Sequence, residues 1–218
     1  MRFIYLIIII LSTPFTSKGH QDEGCYPDKG IKKAKITTKF KLSSEKISTK
    51  EIKYDKSGNV IRIKTNGDEN ITNREYKNGK IIRIITKNKL KDFYTEGENP
   101  KSKKAVIDTS TVLQYDASGR PTKMTAEDNT TLLIQYEGCN IELHTLLHKS
   151  GDTIHQYQLI AKNDVLVETI WMPFAPVKSS RTSKFYDYTF NKQGDWIKRS
   201  FHHQDGEVII EERKLVYY

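Results

Sequence analysis

The chain has 218 residues, 36% hydrophobic and 29% charged, with a formal net charge of +9. So few apolar residues make a core only if each strand turns one face inward and one to water, which favours antiparallel sheet. The lysines argue against a nucleic-acid partner: Lys35, Lys39, Lys41, Lys46, Lys50, Lys53, Arg62 and Lys64 recur along strands and are interrupted by Glu45, Glu51 and Asp55, as on a solvated strand face.

Met1 and Arg2 open the chain with positive charge, Phe3 to Leu11 is unbroken apolar sequence, and Ser12 to Gly19 turns small and polar. A charged start, a short apolar core and the small residues Ser17 and Gly19 predict a secretory signal peptide over residues 1–19. Residues 20–218 then form one β domain, exported to the periplasm or cell surface. No other apolar run approaches the ~20 residues a membrane helix needs, so no transmembrane segment is expected in the mature protein. Asp22, Glu23 and Gly24 precede Cys25, a poor context for lipid attachment. The only other cysteine is Cys139, and an even count in an oxidising compartment permits one disulfide between them.

Turn signals recur next. Tyr54-Asp55-Lys56-Ser57-Gly58-Asn59 precedes Val60–Lys64, and Tyr115-Asp116-Ala117-Ser118-Gly119-Arg120 precedes Pro121–Thr125. Phe190-Asn191-Lys192-Gln193-Gly194-Asp195 precedes Trp196, and Tyr76-Lys77-Asn78-Gly79 carries an Asn-Gly turn. Asp or Asn opens such a turn by accepting backbone hydrogen bonds on its side chain. Gly three residues on takes positive φ and restores pairing. Further hairpins are expected at Ser150-Gly151, Asn163-Asp164 and Gln204-Asp205-Gly206. The expectation is an all-β antiparallel meander of about a dozen strands, curved into a large sheet or open half-barrel. Lys89–Lys104 is the longest polar connection, and Trp171–Pro176 is a second irregular segment.

The Tyr-Asp-x-x-Gly segments resemble the YD repeats of the bacterial RHS family and of short exported bacterial proteins. In large RHS proteins such repeats build a spiralling shell around a passenger toxin. Here the spacing is irregular and the chain too short for a shell. The resemblance implies repeated hairpins and an association with carbohydrate or surface binding, and it brings no active site.

Among candidate sites, His144, His148 and His155 share one face if Ser150-Gly151 is a tight turn, and three imidazoles at that reach suit zinc. Strand parity places Tyr186, Tyr188, Phe190 and Trp196 on one face. With Trp171 and Phe174 they form either a core or a surface for sugar rings or an apolar ligand. No nucleophile elbow, zinc-protease helix, P-loop or dinucleotide fingerprint occurs, so neither catalysis nor a cofactor is expected. The sequence points to a non-catalytic envelope protein that binds carbohydrate or another surface ligand, or to a half-barrel carrier of a lipid or other apolar molecule. Its oligomeric state is not encoded in any pattern found.

Overall fold

The computed structural model describes residues 30–44, 46–66, 70–89, 105–163, 165–173, 180–202 and 206–218. Residues 1–19, where a signal peptide is expected, Cys25 and Phe174 lie outside the described residues. Fourteen strands follow one another in chain order: β1 Ile31–Phe40, β2 Lys46–Tyr54, β3 Val60–Thr65, β4 Asn70–Lys77, β5 Lys80–Lys89, β6 Ala105–Tyr115 and β7 Pro121–Ala126. The second half comprises β8 Thr131–Glu137, β9 Ile141–Leu147, β10 Thr153–Lys162, β11 Val165–Pro173, β12 Arg181–Phe190, β13 Trp196–His202 and β14 Val208–Tyr217. Each strand pairs antiparallel with its sequence neighbours, as the meander requires.

The open sheet or half-barrel is not what forms. β1 pairs with β14 from Ile31–Tyr217 to Phe40–Ile209, and the sheet closes into a full barrel. Closure gives both terminal strands a partner and removes the two edges an open sheet would expose. The pairing joins the two ends of the described chain, and no local pattern announces it.

Strand alternation sorts side chains into an inner and an outer wall. Ala34, Ile52, Ile63, Thr72 and Thr86 pair in succession across β1 to β5. All five are buried, with the Thr72 and Thr86 hydroxyls 3.3 Å apart. Val112, Met124, Leu132 and Leu146 continue the inner wall across β6 to β9. Each apolar side chain buried this way contributes roughly 1.5–3 kcal/mol. On the outer wall stand Lys33, Lys35, Lys53, Arg62 and Lys64, with Lys33 paired to Glu51 at 3.0 Å and Lys39 to Glu212 at 2.9 Å. Lys50 departs from the expectation of a solvated strand face: it pairs with Ile36, which is buried, and so points inward.

The repeated turns form as their sequences require. Gly58 donates to the Asp55 carbonyl at 3.0 Å, and Asn59 N donates to Asp55 Oδ1 at 2.8 Å. Gly119 and Arg120 repeat this on Asp116, and Gly194 and Asp195 on Asn191. The three glycines have φ of 81°, 80° and 79°, the left-handed region where a side chain is penalised.

Four tyrosines near the ends of even-numbered strands have a second task. Tyr76 Oη, at the end of β4, donates to the Val60 carbonyl at the start of β3 (2.9 Å). Tyr115, ending β6, reaches the Ile81 carbonyl in β5 (2.6 Å), and Tyr136 in β8 reaches Pro121 at the start of β7 (2.9 Å). Tyr217 ends β14 and donates to Asp195 Oδ2, just before β13, at 2.6 Å. Each hydroxyl thus ties its own hairpin to the one before it. In a meander all turns after even-numbered strands lie at one rim, so these tyrosines form a girdle there.

Candidate ligand-binding site on the inner wall

From β9 onward the inner wall changes character. His144 pairs with Ile134 and Tyr157, and His155 faces Leu146, as the sequence spacing predicts. Both imidazoles are buried, His155 to 2% exposure. His144 Nε2 lies 3.0 Å from Glu142 Oε2. In the tautomer that donates Nε2–H to the carboxylate, Nδ1 is left as an acceptor. Burial pulls the His155 imidazole below its ordinary pKa of 6.5, so the ring is neutral at pH 7. Its ring centroid is 6.3 Å from that of Trp171 on β11.

His148 does not join them. A register shift lets Thr153 pair with Leu147 and leaves His148 in the β9–β10 turn, its Nδ1 2.8 Å from Ser150 Oγ. Among the described residues no group of three metal-ligating side chains converges, so the three-histidine zinc arrangement does not form. Cys139 is disulfide-bonded, and its expected partner Cys25 is outside the described residues.

The aromatic row is broken too. Asp187 takes a φ of 52°, and the β12–β13 register shifts between Tyr186 and Thr189. The bulge turns Tyr186 outward, its hydroxyl 3.2 Å from His202 Nε2. Tyr188 stacks on Phe190 at 5.9 Å and meets Trp196 edge-on at 6.4 Å, and its hydroxyl donates to the Leu166 carbonyl. Trp196 packs against the cluster of Ile31, Ala34, Ile36, Ile52, Tyr54, Val60 and Ile63. Thus Tyr188, Trp196 and Trp171 belong to the inner wall, Phe190 at the end of β12 stays 47% exposed, and Tyr186 is turned away.

Several charged residues absent from the sequence-based site now stand beside these rings. Arg199 on β13 holds Glu211 on β14, with Nε and Nη2 each 2.6 Å from Glu211 Oε2. Its guanidinium lies 4.3 Å from the Phe185 centroid and 4.5 Å from that of Trp196. Arg213 lies over the other side of the cluster, 5.0 Å from the Trp196 centroid, with Nη2 3.3 Å from Tyr54 Oη. Desolvation lowers the Lys50 ammonium from 10.5 to about 8, partly opposed by Glu211 and reinforced by Arg199. Burial raises the pKa of Tyr157 on β10, with smaller influences from the charges of Arg199 and Glu211. One signal for Lys50 and Arg213 was present: each sits at an even spacing from apolar inner residues, Lys50 from Ile52 and Arg213 from Leu215.

Solvent still reaches part of this wall. The Arg199 and Glu211 side chains keep 13% and 16% exposure inside a closed barrel. Eight strands suffice to hold one small ligand, whereas sixteen or more leave an aqueous channel. Fourteen strands lie between these cases. Among the described residues, Trp171 Nε1, His144 Nδ1, His155 Nε2 and Arg213 Nε are buried without a hydrogen-bond partner. The indole supplies a donor, His144 an acceptor, and His155 either.

No family model matches the chain, and no curated protein does. Among solved structures it is similar to a porin-like protein from Bacteroides uniformis, with 13% identity and a TM-score of 0.49, over 88% of this chain and all of that one.

Proposed function

We propose that this is an exported, non-catalytic binding barrel that holds a small ligand inside its β9–β14 half. The observation that carries this reading is the group of buried, unpartnered polar atoms on His144, His155, Trp171 and Arg213. An unsatisfied buried polar group costs about 1–3 kcal/mol, and four on connected walls, beside aromatic rings, are accounted for by a ligand that hydrogen-bonds them. The carrier reading therefore gains over the surface carbohydrate reading, because Trp171, Tyr188 and Trp196 face inward and leave Tyr186 alone outside.

The outer wall speaks against a pore through a bilayer. A transmembrane barrel carries an apolar band ~25 Å tall, and each Lys or Arg at mid-depth of that band costs ~2–4 kcal/mol. Lys33, Lys35, Lys53, Arg62 and Lys64 stand on the outer face across β1 to β3, in the rows next to the Tyr54–Val60 end of the sheet. The protein is accordingly a water-facing barrel, with its polar side to solvent and its ligand enclosed.

Native mass spectrometry of the protein purified from its own host tests this. The expected result is a chain cleaved near residue 19 carrying a noncovalent mass that the double variant His155→Leu, Trp171→Phe has lost. Bare protein under gentle conditions, across several growth states, would refute the carrier reading.

A further inference from the structure

We infer that Lys50 is a covalent capture site inside the barrel, where its amine condenses reversibly with an apolar aldehyde to form an imine. Glu211 serves as the counter-ion. This rests on the reading of the interior as a ligand site and names the class of ligand.

Strand geometry turns this amine inward. Lys50 pairs with Ile36 on β1 and Thr65 on β3, two residues from Ile52. Ile36 and Ile52 are buried, yet Lys50 itself keeps part of its surface open, and at an inward position that opening faces the lumen. The inner positions beside it on β1 and β3 are Ile36, Thr38, Ile63 and Thr65, none of them titratable. Across β1, Arg213 pairs with Ile36, and Glu211 pairs with Thr38 one inward position further on. Arg199 on β13 pairs with Glu211 and holds its carboxylate through two nitrogens.

This setting prepares an amine for attack on a carbonyl. Desolvation brings the Lys50 pKa down to about 8, opposed by Glu211 and aided by Arg199. A desolvated lysine beside another cation is an activated nucleophile. Only the neutral amine attacks: at pH 7 about one such group in ten is neutral, against about one in 3,000 at the ordinary lysine pKa. The step needs no further reactant. The nitrogen lone pair forms the C–N bond while the carbonyl electrons move to oxygen, which leaves as water with both amine protons. Protonation of the imine by solvent gives an iminium, whose charge Glu211 balances as it does that of the ammonium.

The surroundings define the rest of the ligand. Phe201 pairs with Ile209, which pairs with Phe40, four residues along β1 from Ile36. The Phe185 ring lies 5.1 Å from that of Phe201. At about 3.4 Å per residue this apolar row stands about 13 Å along the strands from the Lys50 row. An alkyl chain of about dodecyl length, joined to Lys50 through its aldehyde carbon, spans that interval and ends among the phenylalanines.

Reductive alkylation of the stripped, folded protein tests the assignment, with dodecanal or propanal as the aldehyde, cyanoborohydride to trap the imine, and peptide mapping to locate the product. Dodecanal should alkylate Lys50 ten-fold or more faster than the outer-wall Lys33, Lys35, Lys53 and Lys64, at a rate that rises up to about pH 8 and levels above it. Lys50→Arg keeps the charge but forms no imine, and it should lose the fast product while leaving the outer lysines unchanged. If that variant does not fold, the urea-unfolded native chain replaces it, and there Lys50 should react no faster than the rest. Lys50 reacting no faster than the outer lysines in folded protein that carried a host ligand before stripping would overturn the capture site and leave the interior carrier standing. A preference for Lys50 no larger with dodecanal than with propanal would overturn the apolar class of ligand.

Discussion

From β1 to β8 the inner wall is built mainly of Ile36, Ile52, Val60, Ile63, Ile84, Met124, Leu132 and Ile134, all buried, and is interrupted by Lys50, Arg74 and Asp108. From β9 to β14 the corresponding positions carry His144, His155, Tyr157, Trp171, Arg199, Glu211 and Arg213. The first half forms two apolar clusters of its own, whereas Leu146 alone centres the one cluster of the second. The difference separates two uses of one repeated hairpin. One half supplies the core that makes a wide barrel stable, and the other accepts polar groups that do nothing for stability unless something binds them.

That division can be broken most forcefully from the apolar side. Ile52→Ala, at a residue with no exposure, should cost about 2–5 kcal/mol in urea unfolding. A cost below 1 kcal/mol would mean that the β1–β3 wall is not the core. Asp116→Ala removes the acceptor for Gly119's turn partner Arg120, both backbone N and guanidinium, the latter at 2.6 Å. The loss should be about 1.5–3 kcal/mol, as for hydrogen bonds to charged groups, and Asp116→Asn should recover part of it. On the polar side the sign reverses. His155→Leu replaces an unpartnered buried ring by an apolar one and should raise the stability of ligand-free protein by about 1 kcal/mol. Destabilisation by the same amount would show that His155 is satisfied without a ligand.

Two smaller effects sharpen the comparison. Tyr115→Phe deletes the hydroxyl that ties β6 to β5 and should cost about 0.5–1.5 kcal/mol. The pH dependence concerns Lys50, whose ammonium pKa falls from 10.5 to about 8 on folding. Between those values the unfolded chain holds more protons than the folded one, so this residue makes stability rise with pH through that window. Below pH 8 both states are protonated and its penalty is constant. Lys50→Met should flatten the rise, measured as the difference between the two stability profiles. An unchanged profile would place Lys50 in contact with bulk water.

The tyrosine girdle explains why much of the fold could be read from sequence. Tyr-Asp-x-x-Gly specifies a turn through the Asp carboxylate and the Gly φ, and at Tyr115 the hydroxyl also ties the preceding hairpin. These are interactions within one or two hairpins, so the local pattern carries them. Closure was not legible because the pairing of Ile36 with Arg213 depends on the summed curvature of all fourteen strands. The site was half legible for a related reason. The placement of His155 opposite Leu146 followed from the turn, but single-residue shifts at Thr153 and Asp187 moved His148 into a turn and Tyr186 to the outer wall. A strand's faces exchange with each such slip. Lys50 reads as one of the outward lysines by its charge, yet its even spacing from Ile52 carries it inward, as the spacing from Leu215 carries Arg213.

The chain contains two tryptophans, Trp171 and Trp196, and both stand on the inner wall of the half assigned to the ligand. Their emission reports on that interior and, through Trp196, on the β1–β3 core it packs against. The most direct measurement compares the folded protein as isolated from its host with the same protein after solvent extraction, and again after the extract is returned. A red shift on extraction, reversed in a saturable way by the extract, is the predicted result. Identical spectra in all three states, with the barrel still folded, would contradict an occupied interior.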